Sequence, residues 1–147
     1  MIARIAGIPV CLALGLAAGC GRQSDVPAAA PAAEAQAAES AAADFQKLKG
    51  KWGRTDGDYA LELLKLQPDG ALEAAYFNPS PIHVGKARLF KERGFVKVFV
   101  ELQDVNYPGS TYNLIYDPEH DLLRGTYYQA TQQVEYQIEF QRLPSGN

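Results

Sequence analysis

The side chains able to do chemistry in this chain of 147 residues are few. There are only two histidines, His83 and His120. A serine hydrolase would need one of them beside a nucleophile and a carboxylate. Ser80 and Ser110 both sit in turns flanked by proline, where a serine hydroxyl commonly bonds its own backbone. No Gly-x-Ser-x-Gly elbow surrounds either one. Asp117, Glu119, His120 and Asp121 offer oxygen and imidazole ligands to a metal, but they lack the alternating Asp-x-Asp-x-Asp-Gly spacing of a calcium loop. Pro118 makes the same stretch read as a solvated turn, and Asp56-Gly57-Asp58 reads the same way. The expectation is a protein that is not an enzyme and uses no metal and no cofactor.

Aromatic residues are more abundant than catalytic ones. Eight tyrosines are many for this length. A tyrosine buries an apolar ring and keeps a polar handle, which suits it to a core or to the rim of a binding site. Phe77, Asn78, Tyr107 and Tyr112 lie near turns and are the candidates for a ligand or partner surface.

Positioning those residues requires strands. After Gly50 the chain reads as short apolar stretches divided by turn signals. Strands are expected over 52–54, 59–67, 71–77, 82–90, 95–102, 111–116, 122–130 and 133–143. Pro68-Asp69-Gly70 is a strong hairpin signal, because Pro presets φ and Gly accepts positive φ. Val134, Tyr136, Ile138 and Phe140 alternate with Glu135, Gln137, Glu139 and Gln141, so one face of the last strand is buried and one is wet. Val96, Val98, Val100 and Leu102 form a similar set, as do Leu123, Gly125 and Tyr127. The second strand alternates poorly, and a bulge near Leu63-Leu64 would account for it. The longest connection spans 104–110. Eight short antiparallel strands joined by tight turns predict an all-β domain, a sandwich or an up-and-down barrel without exposed edges, and the hairpin-length connections favour the barrel.

The N-terminal part is different in kind. Arg4 precedes an apolar run, 5–18, too short to span a bilayer but of the right length for a signal-peptide core. Leu16-Ala17-Ala18-Gly19-Cys20 closes it. This resembles a bacterial lipoprotein signal, which implies cleavage of 1–19 and lipidation of Cys20. In that family Asp after the cysteine favours the inner membrane, so Gly21 implies the outer membrane, periplasmic face. Cys11 would leave with the signal, and no intramolecular disulfide could then form. The formal charge of −3 would become one unit more negative with Arg4 removed, which argues against nucleic acid as a partner. Residues 20–43 read as a linker. From Ser24 to Ala43 only Val26 is a large aliphatic residue, so this stretch cannot bury enough apolar surface to fold alone. Its second half, 32–47, is rich in helix formers, and Phe45 and Leu48 are placed to dock that end on a barrel domain of 44–147.

Gly50-Lys51-Trp52 before the first strand and Arg142 at the end of the last resemble the calycin superfamily of lipocalins, fatty-acid-binding proteins and avidins. The resemblance implies that the Arg142 guanidinium covers the Trp52 indole and closes one barrel end, a structural role for both. The strings Ala75-Tyr76-Phe77-Asn78-Pro79 and Asn106-Tyr107-Pro108-Gly109-Ser110 are similar to a family of uncharacterised bacterial lipoproteins, which implies no activity. The functional expectation is a lipid-anchored periplasmic barrel that binds a small apolar or amphipathic ligand. The alternative is an envelope protein-interaction or inhibitor module that works through its loops, 104–110 above all.

Overall fold

The computed structural model describes residues 30–144. The expected signal, Cys20 and the first part of the expected linker lie outside them. One helix, α1 (Ala30–Leu48), starts in the Ala- and Glu-rich stretch, where propensity favours helix, and extends the expected one by a residue or two at each end. Lys49 N–H donates to Phe45 O at 2.8 Å and closes its last turn. Gly50 then takes φ 127°, a value that favours glycine, and turns the chain into the sheet. Phe45 and Leu48 share a face and are buried on the barrel. Lys91 ties the same end down, with Nζ 2.6 Å from Asp44 Oδ2 and 2.9 Å from Ser40 Oγ.

Nine strands follow in one antiparallel sheet: β1 (Gly50–Arg54), β2 (Ala60–Leu66), β3 (Leu72–Asn78), β4 (Ser80–Ile82), β5 (Val84–Glu92), β6 (Phe95–Asp104), β7 (Tyr107–Asp117), β8 (Leu122–Gln129) and β9 (Val134–Arg142). Their order is β4-β3-β2-β1-β9-β8-β7-β6-β5. Every neighbouring pair is joined by a short connection except β1 and β9, which bring the first and last strands together. The sheet curls until β3 meets β5, through an Ala71–Arg88 bridge and a bond from Leu89 N–H to Gly70 O of 2.9 Å. It is an all-β, nearly closed barrel.

The count is nine rather than eight because the stretch 82–90 is divided at His83. Its first part pairs with β3, with Tyr76 opposite Ile82, and its second part crosses to β6. Continuous pairing to both neighbours would demand a flatter sheet than strand twist allows. The bulge expected near Leu63-Leu64 is present as a register shift between Leu63 and Lys65, and Leu64 is turned outward. The segment 104–110, in contrast, is no long loop. It is a hairpin with Val105 and Asn106 at its tip, and β7 begins at Tyr107. A second register shift, between Leu102 and Gln103, sets Pro108 opposite Gln103. Such an irregularity tolerates the missing proline N–H, so pairing continues past a residue that reads as a breaker. Gly125 lets β8 approach β7, since a Cβ there would lie 1.9 Å from Asn113 O.

The inward residues fill the barrel. Trp52, Tyr76, Tyr112 and Phe140 are fully buried among leucines and valines of β2, β6, β7 and β8 and Ile138 of β9. At the helix end, the Arg142 guanidinium lies 4.2 Å from the Trp52 ring centre. It donates to Asp121 at 2.6 and 2.8 Å, to Lys49 O at 3.1 Å and to Lys47 O. Trp52 Nε1 donates to Leu48 O at 2.9 Å. The last helical carbonyls, which have no partners within the helix, are thus satisfied by the barrel.

Arg142→Ala should lower unfolding free energy by about 1–3 kcal/mol, from the lost cation–π contact and the orphaned helix carbonyls. Arg142→Lys should recover only part of it, because an ammonium cannot reproduce the planar fork. Urea denaturation checks this, and an unchanged midpoint for Arg142→Ala would show that the contact contributes nothing.

Candidate functional site

The strands that end at α1 begin or end, at their other extremity, in a mouth. The residues there come from the end of β1, the turn 55–59, the end of β3, the β6–β7 tip and the turn 130–133. Trp52 points inward, so alternation turns Arg54 inward as well, one layer nearer the mouth. Its side chain is only 8% exposed. Arg54 donates to both Asp56 oxygens, at 2.8 and 2.5 Å, across the Asp56-Gly57-Asp58 turn. The guanidinium lies 4.4 Å from the Tyr59 ring centre and 5.7 Å from that of Tyr127. Its third nitrogen donates to the Tyr112 hydroxyl at 3.2 Å, and Tyr112 shares a 2.6 Å bond with the Tyr76 hydroxyl.

A stack of rings runs from the mouth into the core. Tyr136 stacks on Tyr127 with centroids 6.3 Å apart, and Tyr127 stacks on Tyr112 at 4.6 Å. Tyr112 then touches Tyr76 at 5.4 Å and Phe140 at 5.5 Å. Tyr136 is 41% exposed although it shares a face with Ile138 and Phe140, because β9 begins at the mouth and nothing covers its first turn.

The four candidate surface residues separate. Asn78 and Tyr107 come together at the mouth, where Asn78 Nδ2 donates to the Tyr107 hydroxyl. Tyr112 is completely buried beneath them. Phe77 alternates onto the outer wall, where Lys51 Nζ stands 5.1 Å from its ring centre. Arg54, Asp56, Tyr59 and Tyr136 are mouth residues that sequence reasoning missed. One local signal was available for the first pair, an Arg and an Asp two residues apart just before a glycine turn.

Burial works against the Arg54 charge, but the Asp56 hydrogen bond and the neighbouring Tyr112 outweigh it and hold the guanidinium above its ordinary range. Arg54 in turn holds the Asp56 carboxyl below its usual range. Arg142 does the same to Asp121 at the other end, through its side-chain hydrogen bond. Burial pushes the Tyr112 phenol up to about 12 and raises that of Tyr76 as well.

The chemistry-bearing residues of the sequence are dispersed. His83 lies between β4 and β5 at the mouth, its N–H donating to Asp104 at 3.0 Å. His120 lies in the β7–β8 turn at the helix end, 2.8 Å from Asp117. Asp117 also accepts from the backbone of Glu119 and from Arg124, while Asp121 is engaged by Arg142. The residues of this turn therefore face different partners. Among the described residues, no group of three or more His, Cys, Asp or Glu could hold a metal ion. Ser80 is exposed on the short β4 strand, and Ser110 is buried, accepting the Ala130 N–H at 3.1 Å and so fixing the β8–β9 turn. The arrangement at the mouth suits stacking and polar contact with a bound group. No family model, curated protein or solved structure matches this chain.

The folded state keeps Tyr76 and Tyr112 neutral, whereas an unfolded tyrosine ionises near pH 10. Stability from these phenols is therefore full below about pH 10 and is lost as pH rises towards 12. In a 295 nm titration followed by circular dichroism, both should ionise only as the fold is lost. Ionisation of all eight tyrosines in one step near pH 10, with the fold intact, would contradict this. At the acid side the depressed Asp56 and Asp121 carboxyls contribute above about pH 4, and the contribution fades as pH falls through their folded values. The Asp56→Asn/Asp121→Asn chain should thus show a shallower loss of stability in acid.

Proposed function

We propose that this chain is a lipid-anchored binding module on the periplasmic face of the bacterial outer membrane, without catalytic activity, that takes its partner at the barrel mouth. The observation that carries this reading is the packing of the interior. A barrel of about eight strands either fills with side chains or holds one small ligand. Here stacked rings from Tyr127 to Phe140 occupy the interior, which leaves the mouth and its turns as the surface for recognition. The mouth also lies at the end opposite α1, and hence away from the side on which Cys20 would hold the chain.

An envelope protein is the favoured partner. Val105, at the β6–β7 tip, is 90% exposed, and the Asn78–Tyr107 contact stands behind it. An apolar tip on a rigid hairpin supplies contact area at small entropic cost. A second reading, a small amphipathic ligand, is favoured by Tyr136, whose ring is half-open to solvent and held flat by Tyr127. Such a ligand would stack on Tyr136 and not enter the core.

Two variants separate these readings. Val105→Asp should abolish capture of a specific partner by cross-linking in envelope extract, with an effect of at least tenfold for a central contact. Tyr136→Ala should instead remove a small ligand that native mass spectrometry detects on the purified chain. If both variants retain every partner and ligand of the parent chain, the mouth is not the recognition surface.

A further inference from the structure

The β5–β6 hairpin has a composition unlike the rest of this acidic chain. Between residues 86 and 97 lie five of its 14 Lys and Arg, with Glu92 as the single acid. Alternation puts Lys86, Arg88 and Phe90 of β5 on the outer wall, opposite Glu101, Phe99 and Lys97 of β6. Lys97 pairs with Glu92, and Lys91 with Asp44 of α1. Glu101 faces Lys86 across the strands but accepts a 2.7 Å bond from Gln103. Among the described residues, no ion pair takes Lys86, Arg88 or Arg93. Aromatic rings stand between these cations. Phe90 is 43% exposed and Phe95, beside the tip, 57%. Lys86, Arg88, Phe90 and Phe99 together line an open hollow of about 420 Å³.

We propose that this hairpin is a membrane-contact surface, which seats the domain on anionic phospholipid headgroups. Cations that find no carboxylate in the protein find phosphates at the surface, and the exposed rings enter the interfacial layer, where aromatic side chains are favoured. The inference rests on the lipid-anchor reading of Cys20. Covalent reach supports it. Lys91 fixes the hairpin to α1 at Ser40 and Asp44. The helix from Ala30 to Ser40 adds about 15 Å, and the ten residues from Cys20 to Ala30 span at most about 35 Å. An anchor at Cys20 therefore keeps the hairpin within about 50 Å of the bilayer and lets it reach the surface. The hairpin tip at Gly94 lies beside Asp44 and Lys47 at the α1 end, and the mouth opens at the other.

The test uses the full chain with its native N-terminus in nanodiscs of phosphatidylcholine, with or without a one-third share of phosphatidylglycerol. Lysine acetylation is read by mass spectrometry. Lys86 should be acetylated at least about threefold more slowly in the anionic discs at low salt. High salt should abolish the protection, and Lys51, across the barrel, should not change. Arg88→Glu/Arg93→Glu should also abolish it, with far-UV circular dichroism unaltered. Equal acetylation in both discs, or protection that survives the charge reversal, overturns the proposal. Equal protection by inorganic phosphate without discs also overturns it, since the site would then bind free phosphate. Loss of the anchor reading has its own signature, a chain that does not co-elute with discs. In that case co-sedimentation of the Cys20→Ser chain with phosphatidylglycerol vesicles decides for the hairpin if Arg88→Glu/Arg93→Glu abolishes it, and against it if not.

Discussion

Arg142 is the point at which the ends of the fold are joined. It belongs to the last strand, covers the indole of the first, donates to the Asp121 carboxylate of the β7–β8 turn and to the final carbonyls of the helix. No cysteine lies in residues 30–144, so no covalent bond shares this task. A guanidinium suits it because one planar group can stack on a ring and donate in several directions at once. The Leu48 carbonyl is reached by Trp52 itself, so the helix end, both terminal strands and one turn form a single hydrogen-bonded unit. Phe45 and Leu48 fill the space beneath it, which makes the helix part of the core and not an appendage.

The other end repeats the device with a different result. Arg54 also lies over an aromatic ring and also binds a carboxylate through two oxygens. Its partner Asp56, however, lies two residues along the chain, whereas Asp121 lies 21 residues from Arg142. The contact therefore shapes a rim without closing the barrel. Beneath it the phenols of Tyr112 and Tyr76 need each other, since a buried hydroxyl without a partner is costly. The rim stays fixed while the ring of Tyr136 above it stays accessible. One end is thus a lid with a helix across it, and the other is an open, rigid edge.

Local pattern made most of the walls legible. Alternation in 96–102 identified a buried face, whereas in 134–140 it did so for Ile138 and Phe140 but not for Val134 and Tyr136, which are 40% and 41% exposed. Pro68-Asp69-Gly70 marked its hairpin through backbone chemistry alone, and the broken alternation at Leu63-Leu64 marked its bulge. What local pattern could not carry was closure. The division at His83 depends on how far the sheet must bend to meet β3, and the pairing of Pro108 depends on a shift in the facing strand. Exposure of Tyr136 follows from its place at the end of β9, which parity along a strand does not encode. Tyr112 and Asn78 both lie near turns in the sequence, yet one is core and the other rim, because depth along the barrel axis is a property of the whole sheet.

The adjacency of β1 and β9 has a consequence for how the domain comes into being. In chain order β1 comes first among the strands and β9 last. The hairpins between them are local and can pair as they emerge, but β1 waits for a partner some ninety residues downstream, and so does the helix that Arg142 caps. Contacts of such separation form slowly and late. Until β9 arrives, the chain is an unclosed ribbon with an unpaired edge at β1. The domain is in this sense all-or-none in time, since the last strand to appear completes the first.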